Sequence, residues 1–359
     1  MKILYVVSGL GKMGGIESFI YNVISNIDLD NYHIDFFVSD TKIGEMEPFL
    51  ESKGCKIYHI TPYSSVLQKI NNRNKFFKNH RGEWDIVHIH TVFTTAFSVA
   101  RSAKKYGKCK CVIVHSHTSN NYEGSEFKNT ICRPFLNLYT DVRLGCSKGA
   151  VAFLFGEKYK EDSLVLFNAV DYSRFKSNKE IRNQYIKELG IKDYFVIGHV
   201  GRMTEAKNHK FLLVIFNSFL QKHPKSKLIL VGDGEYRERI EKQIIELGLQ
   251  QSVLVLGQRT DVYELMQTFD CFVFPSIYEG LPTVLIEAQG LGIPIVCSKE
   301  ITDEVIVNSN VVKLDLGDVN EWVNTIESMQ PENNISPKIK LFSSEVIVKD
   351  LESIYSNVK

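Results

Sequence analysis

Short apolar runs of four to seven residues alternate with amphipathic stretches along the whole chain, and this alternation restricts the fold more than any other feature. In the first half the runs are KILYVVS (2–8), HIDFFVS (33–39), CKIYHI (55–60), DIVHIH (85–90), KCVIVH (110–115), VRLGC (142–146) and LVLFN (164–168). In the second they are YFVIGHV (194–200), KLILVG (227–232), SVLVLG (252–257), CFVFPS (271–276) and PIVCS (294–298). Helical patterns lie between them, as in 207–221, where Phe211, Leu212, Ile215, Phe216 and Phe219 form one stripe. Strands alternating with helices imply right-handed βαβ units and parallel sheets. The alternation lapses once, over the polar stretch 171–193, which reads as the domain boundary. The expected fold is α/β: two Rossmann-like domains, 1–170 and 171–341, each large enough for its own core. The last stretch, 342–359, reads as a helix after a Ser cap, with Val346, Leu351 and Tyr355 on or near one face. It is placed to pack back on the first domain.

Charge and cysteine content narrow the function classes. The chain carries 43 Lys+Arg against 42 Asp+Glu, so no overall field calls for nucleic acid. Residues 1–170 hold 21 basic and 16 acidic side chains, and 171–359 hold 22 and 26, so the first half is the better match to an anionic surface. Seven cysteines without a CxxC pair suit buried thiols in a reducing compartment. No apolar run approaches the ~20 residues of a membrane span. The opening MKILYVVSGLGKMGG reads as a first strand and turn rather than a signal peptide. The expected location is cytoplasmic, peripheral to a membrane at most.

Three segments carry the chemistry. After the first strand, Gly9-Leu10-Gly11-Lys12-Met13-Gly14-Gly15 contains a literal GxGxxG, and Asp40 ends the second strand where a ribose-binding acid would sit. A dinucleotide-dependent oxidoreductase is one reading. The extra glycine delays the helix to about Ile16, and Gly14-Gly15 at a helix start lets an anion or a sugar approach the backbone closely. The second domain opens with HVGRMTEAKNHK, where Gly201, Arg202 and Lys207 follow a strand ending at Val200. Two cations at a strand's C-terminal edge suit a diphosphate, Arg as a planar fork and Lys as a point charge. In FPSIYEGLPTVLIEAQGLGIPIV a strand ends at Pro275-Ser276, Glu279 and Gly280 form a loop, and Pro282 is expected as the first helical residue. Gly280, Leu281, Thr283 and Val284 can then offer backbone N–H groups to a phosphate, while Glu287 can accept from vicinal hydroxyls such as a ribose.

Taken in order over essentially the whole chain, these segments resemble the GT-B-fold retaining glycosyltransferases that use sugar nucleotides. The signature glutamate pair of that family, E-x7-E, matches Glu279 and Glu287; its diphosphate-binding Arg and Lys match Arg202 and Lys207; its N-terminal Gly-Gly turn matches Gly14-Gly15. HSHTSN, RLGCSKGAVAFLFG and FNAVD resemble the branch that builds bacterial capsular and exopolysaccharides. Asn168-Ala169-Val170-Asp171 departs from the family, which often has Gly after the Asn and Pro before it. The resemblance implies that a His closing the fifth strand reaches the donor sugar; both His115 and His117 fit, and His117 is favoured because it lies beyond the strand. It implies that the backbone of Arg259-Thr260-Asp261-Val262 meets the donor base, and that Glu279 binds and positions the sugar. The implied reaction moves a hexose from a nucleoside-diphosphate sugar, UDP-sugar favoured, to a saccharide hydroxyl, with a lipid-linked acceptor and the donor between the two domains.

Other features argue against alternatives. Asp28-Leu29-Asp30 is a literal DxD, but it lies in a polar loop, and no His/Cys/Asp cluster shows metal-ligand spacing, so no metal and no cofactor are expected. Residues 67–81 read as a helix with Lys69, Arg73, Phe76 and His80 in one outward stripe, flanked by Lys75, Lys78 and Arg81, with Leu67, Ile70 and Phe77 toward the core. Such a stripe suits an anionic membrane surface. A silent sugar-nucleotide binder is the remaining alternative to an enzyme.

Overall fold

The computed structural model describes residues 1–11, 14–119, 126–171, 177–332 and 334–358. It divides into two compact units, Met1–Val170 with Phe342–Lys359, and Asp171–Leu341.

Unit 1 is a seven-stranded, wholly parallel sheet. Its strands are β1 (Lys2–Val7), β2 (His33–Val38), β3 (Ile57–His59), β4 (Ile86–Ile89), β5 (Cys111–Ser116), β6 (Val142–Gly145) and β7 (Leu164–Val165), in the order β3-β2-β1-β4-β5-β6-β7. The order reverses between β1 and β4, the place where ligands enter open α/β sheets. The central strands are apolar on both faces because helices cover both. One face packs Ile3, Tyr5 and Ile113 under the helix Gly15–Asn26 and the last helix, Ser344–Ser356; the other packs Leu4, Val87 and Val114 under the helices of 66–155. The last helix belongs to this unit: Val170 N–H donates to Phe342 O, and Ile347, Val348, Leu351 and Tyr355 complete its core. Its N-cap is Ser343, whose hydroxyl accepts from Val346 N.

Unit 2 is a six-stranded parallel sheet, ordered β10-β9-β8-β11-β12-β13, from β8 (Phe195–Val200), β9 (Ser226–Val231), β10 (Val253–Gly257), β11 (Cys271–Phe274), β12 (Ile295–Ser298) and β13 (Val311–Leu314). The pattern of runs missed β13. VVKL is short and partly exposed, and it pairs only on one side, with β12. Within 171–193, residues 172–176 lie outside the described residues, and the remainder forms a helix, Lys179–Glu188, capped by the Asn178 side chain. Backbone packing at the C-terminal edge of β8 is close. A Cβ on Gly232, which has φ +134°, would stand 2.0 Å from Gly201 O.

The seven cysteines are free thiols, and all but Cys132 are buried. Among the described residues no helix is long and apolar enough to cross a membrane.

The helix Val66–Asn79 corrects the expected stripe. Arg73 faces inward, 2% exposed, with its Nη1 donating to Ser98 Oγ at 2.5 Å. Phe76 packs among Phe37, Tyr58 and Trp84, while Leu67, expected in the core, is 74% exposed. Neighbouring helices cover the last turns of this helix more than its first, so Phe77 is buried while Val66 and Leu67 stand out. Lys75 and Lys78 remain exposed.

Candidate functional site

In unit 1 the helix after β1 starts at Gly15, one residue earlier than expected, with Gly14 as its N-cap and Ser18 N–H bonded to Gly14 O at 2.9 Å. Lys12 and Met13 lie outside the described residues. Gly14 and Gly15 are exposed, and a Cβ on Gly15 would meet no atom of the described residues within 4 Å. Packing within the chain therefore does not explain a glycine there, whereas close approach of a ligand would. Asp40 caps its own loop, its Oδ1 accepting from Thr41 N at 2.6 Å. Asp28 does likewise, accepting from the amides of Asp30 and Asn31.

A cavity of about 180 Å³ opens beside this turn, lined by Gly15, Ile16, His90, Val92, His115, His117 and Thr118. Both candidate histidines thus reach it. Asn120, the last residue of HSHTSN, lies outside the described residues. His117 stands 3.3 Å from Asn168 Oδ1 through Nδ1 and 2.9 Å from His90 Nδ1 through Nε2. The amide oxygen can only accept, so His117 donates from Nδ1 and, as a neutral ring, accepts at Nε2 from His90. Burial pushes His117 down to about 4, which keeps that ring neutral. Asn168 is the residue kept in the departing NAVD segment, and its contact with His117 was not foreseen.

In unit 2 the predicted residues gather at the C-terminal edge of the sheet. After β8, Gly201 and Arg202 lead into a short turn, Glu205–Lys207, and the helix His209–Lys222. Arg202 is 75% exposed, with Glu235 at 3.5 Å. Lys207 Nζ lies 2.6 Å from Glu279 Oε1 and 4.7 Å above the Phe274 ring, both carboxylate and ammonium mostly covered. A Cβ on Gly201 would stand 3.0 Å from Lys207 Cε, so glycine there gives the lysine its path. The EGLP loop is tied to the same turn by Ile277 N–H donating to Ala206 O at 2.8 Å.

Leu281 anchors that loop inward, and the helix Thr283–Gly290 follows with Pro282 as its N-cap, not its first helical residue. The first-turn amides are thus those of Thr283 and Val284 onward, beside Gly280. Glu287 is one turn further, partly exposed. The helix is held by buried Gln289, whose amide donates to Leu285 O and Val305 O and accepts from Val307 N and Asn308 N. Arg259 does not present a free guanidinium: it forms a bidentate pair with Asp261, at 2.8 and 2.5 Å, and Tyr185 OH donates to the same carboxylate. These partners hold Asp261 down to about 2. Val262 begins the helix Val262–Met266, so this segment can offer backbone but little free charge.

One cluster went unread in the sequence. His88, His90 and His115 bring ligand nitrogens within 4.8 Å of one another, a geometry that amends the expectation of no metal-ligand cluster. The signal was present as HIH at one strand end and HSH at the next, which becomes a cluster only when β4 and β5 are paired.

Residues 181–334 match the family described as "Glycosyl transferases group 1". EpsF of Bacillus subtilis, which carries a glycosyltransferase name, is 32% identical over 90% of this chain and 86% of its own length. An Escherichia coli UDP-Gal:alpha-D-GlcNAc-diphosphoundecaprenol alpha-1,3-galactosyltransferase is 26% identical over 73% of this chain and 70% of its own. The capsular polysaccharide biosynthesis glycosyltransferase CapM of Staphylococcus aureus is 27% identical over 53% of each chain. Among solved structures, Anabaena HepE in complex with UDP and glucose superposes with a TM-score of 0.83 at 22% identity, over 99% of this chain and 100% of that one, which shows the shared GT-B fold. The dinucleotide reading of GLGKMG has no counterpart among these relatives. Motif order, fold and relatives agree: the chain belongs to the group 1 glycosyltransferases.

Proposed function

We propose that the chain transfers a hexose, with retention at the anomeric carbon, from a UDP-sugar to a lipid-linked saccharide in capsule or exopolysaccharide assembly. The observation that carries the reading is the convergence, in unit 2, of Arg202, Lys207, Glu279 and the amide-bearing end of Thr283–Gly290 at one sheet edge. Charge develops on the departing diphosphate, so cations and amides fixed there act mainly in the transition state. Lys207, held by Glu279 before the donor arrives, exchanges that carboxylate for the diphosphate and frees Glu279 to bind and position the sugar. The leaving phosphate oxygen takes the acceptor's proton in a front-face substitution. The chemistry uses no metal. Unit 1, with Gly14, Gly15 and His117, serves the acceptor and the donor sugar; unit 2 serves the nucleotide. The acceptor class follows the diphosphoundecaprenol in the name of the E. coli relative.

A thermal-stability screen of UDP- and GDP-sugars tests the donor class. A donor at 100 times its Kd adds about 2.7 kcal/mol. No shift with any UDP-sugar, against a clear shift with another nucleotide, rejects the UDP assignment. Within the site, Glu287→Ala is expected to weaken UDP binding in calorimetry, and Glu279→Ala to lower turnover with UDP affinity nearly kept. Equal UDP affinity in wild type and Glu287→Ala removes the ribose role.

Unit 1 is also the unit that meets the membrane. Between Glu51 and Glu83 the sequence has seven basic and no acidic residues. There Tyr63, Val66 and Leu67 are exposed beside Lys69, with Lys75 and Lys78 farther along the helix. Each cation near an anionic surface contributes about 1 kcal/mol. Wild type is expected to co-sediment with anionic but not neutral vesicles, and the Val66→Ser/Leu67→Ser/Lys75→Ser/Lys78→Ser variant to lose most of that binding. Equal sedimentation of the two proteins ends the proposal.

A further inference from the structure

We propose that His88, His90 and His115 form a binding site for one zinc-class divalent cation in unit 1. The site is set by strand register. His88 pairs with Ile113 across β4 and β5, so His88, His90 and His115 fall on one face of the sheet, with His115 beside position 90. The rings stand 4.2 Å (88–90), 5.6 Å (88–115) and 5.5 Å (90–115) apart between centroids, and none of the three is more than 1% exposed. Their ligand atoms lie within 4.8 Å of one another. Nitrogens on a tetrahedral zinc stand about 3.3 Å apart for Zn–N bonds of about 2.0–2.1 Å, so closure needs only small side-chain rotations.

Two further observations point to a ligand. The Nε2 atoms of His88 and His90 are buried with no hydrogen-bond partner among the described residues. Such an orphan carries an uncompensated desolvation cost that a Leu or Phe at the same place would avoid. The opposite nitrogens are well held. His88 Nδ1 is 2.8 Å from Tyr355 OH, itself 2.6 Å from Tyr5 OH. His90 Nδ1 donates to His117, which donates to Asn168. For His90 this chain leaves Nε2 as the unprotonated nitrogen, and donation from His88 Nδ1 to Tyr355 does the same. Outer-shell bonds of this kind fix the tautomer of metal-binding histidines. Burial also keeps the three imidazoles neutral, so an ion need not displace protons near pH 7. Three neutral imidazoles suit zinc, nickel or copper rather than magnesium or calcium. The fourth position can face the 180 Å³ cavity, where a water or an anion would complete the shell.

The cavity wall is shared with His117, which His90 and Asn168 orient together. An ion on His90 therefore fixes His117, and zinc is expected to slow transfer while EDTA leaves it unchanged. This consequence rests on the proposed function; the binding does not. Crystals of the full chain grown with zinc chloride test binding without any activity readout. A zinc-edge anomalous peak among the three imidazoles is expected. An ordered water there, or zinc only at the partly exposed His80–Glu83 and His223–Glu327 pairs, overturns the site. In solution the chain is expected to bind one Co²⁺ with tetrahedral d–d absorption, lost in His88→Gln/His115→Gln and kept in His223→Gln. If the double variant does not fold, the crystal result decides.

Discussion

Lys207→Ala is expected to lower the transfer rate by about two to three orders of magnitude, the loss that follows removal of one preorganised group at a developing anion, ~3–4 kcal/mol of barrier. Lys207 qualifies because its ammonium is fixed before any donor arrives, by Glu279 at 2.6 Å and by the Phe274 ring. The variant also leaves the partly covered Glu279 carboxylate without this cation, so a modest fall in thermal stability accompanies the kinetic loss. Arg202→Ala separates the two effects. With its side chain 75% exposed, Arg202 contributes little to folding, so its variant is expected to keep the wild-type melting temperature and still lose most activity. Steady-state rates and melting curves measured together check both. Near-normal turnover in both variants, with a donor whose binding has been demonstrated, removes the diphosphate assignment.

The parts of this site legible in the sequence are those whose chemistry is local in the chain. Strand–EGLP–helix can be read because one helix end supplies amides and glutamates from a dozen consecutive residues, and VGR followed by Lys207 can be read because a strand's end fixes where the loop begins. The parts that were not legible depend on what is brought alongside. Arg73 looked solvated on a helical wheel, yet it is buried against Ser98, since the wheel does not say how far the neighbouring helix extends. The histidine cluster spans residues 88–115 of the sequence and exists only through the β4–β5 register. Pro282 was misplaced by one position because Pro is tolerated both at the N-cap and just after it, and only the backbone at 282, with ψ 92°, distinguishes them. The VVKL edge strand lacked the continuous apolar run that burial on both sides imposes on the central strands.

Acidification is expected to destabilise unit 2 between about pH 6.5 and pH 4, through His199 and His209. The pair lies under the Lys207 turn, with rings 4.7 Å apart, 0% and 3% exposed. His199 donates from Nδ1 to Val273 O at 2.9 Å, while its Nε2 and both nitrogens of His209 are buried without a partner among the described residues. Burial, and after it the Lys207 charge, hold His209 down to about 4; burial and the neighbouring His209 hold His199 well below its ordinary value. In the unfolded chain both rings titrate near the ordinary imidazole value of about 6.5. Below that pH the unfolded state takes up protons that the folded state refuses, so stability falls as pH falls, and the His209 contribution ends once the folded ring protonates too. The drop from 6.5 to about 4 corresponds to about 3 kcal/mol for His209 alone. Urea unfolding at pH 7, 6 and 5 measures it. His209→Leu, which deletes two unpartnered nitrogens and the proton site together, is expected to flatten the pH dependence and to exceed wild type in stability at pH 5. A variant whose urea midpoint falls with acid as steeply as that of wild type shows that the burial of this ring is not what makes unit 2 acid-sensitive.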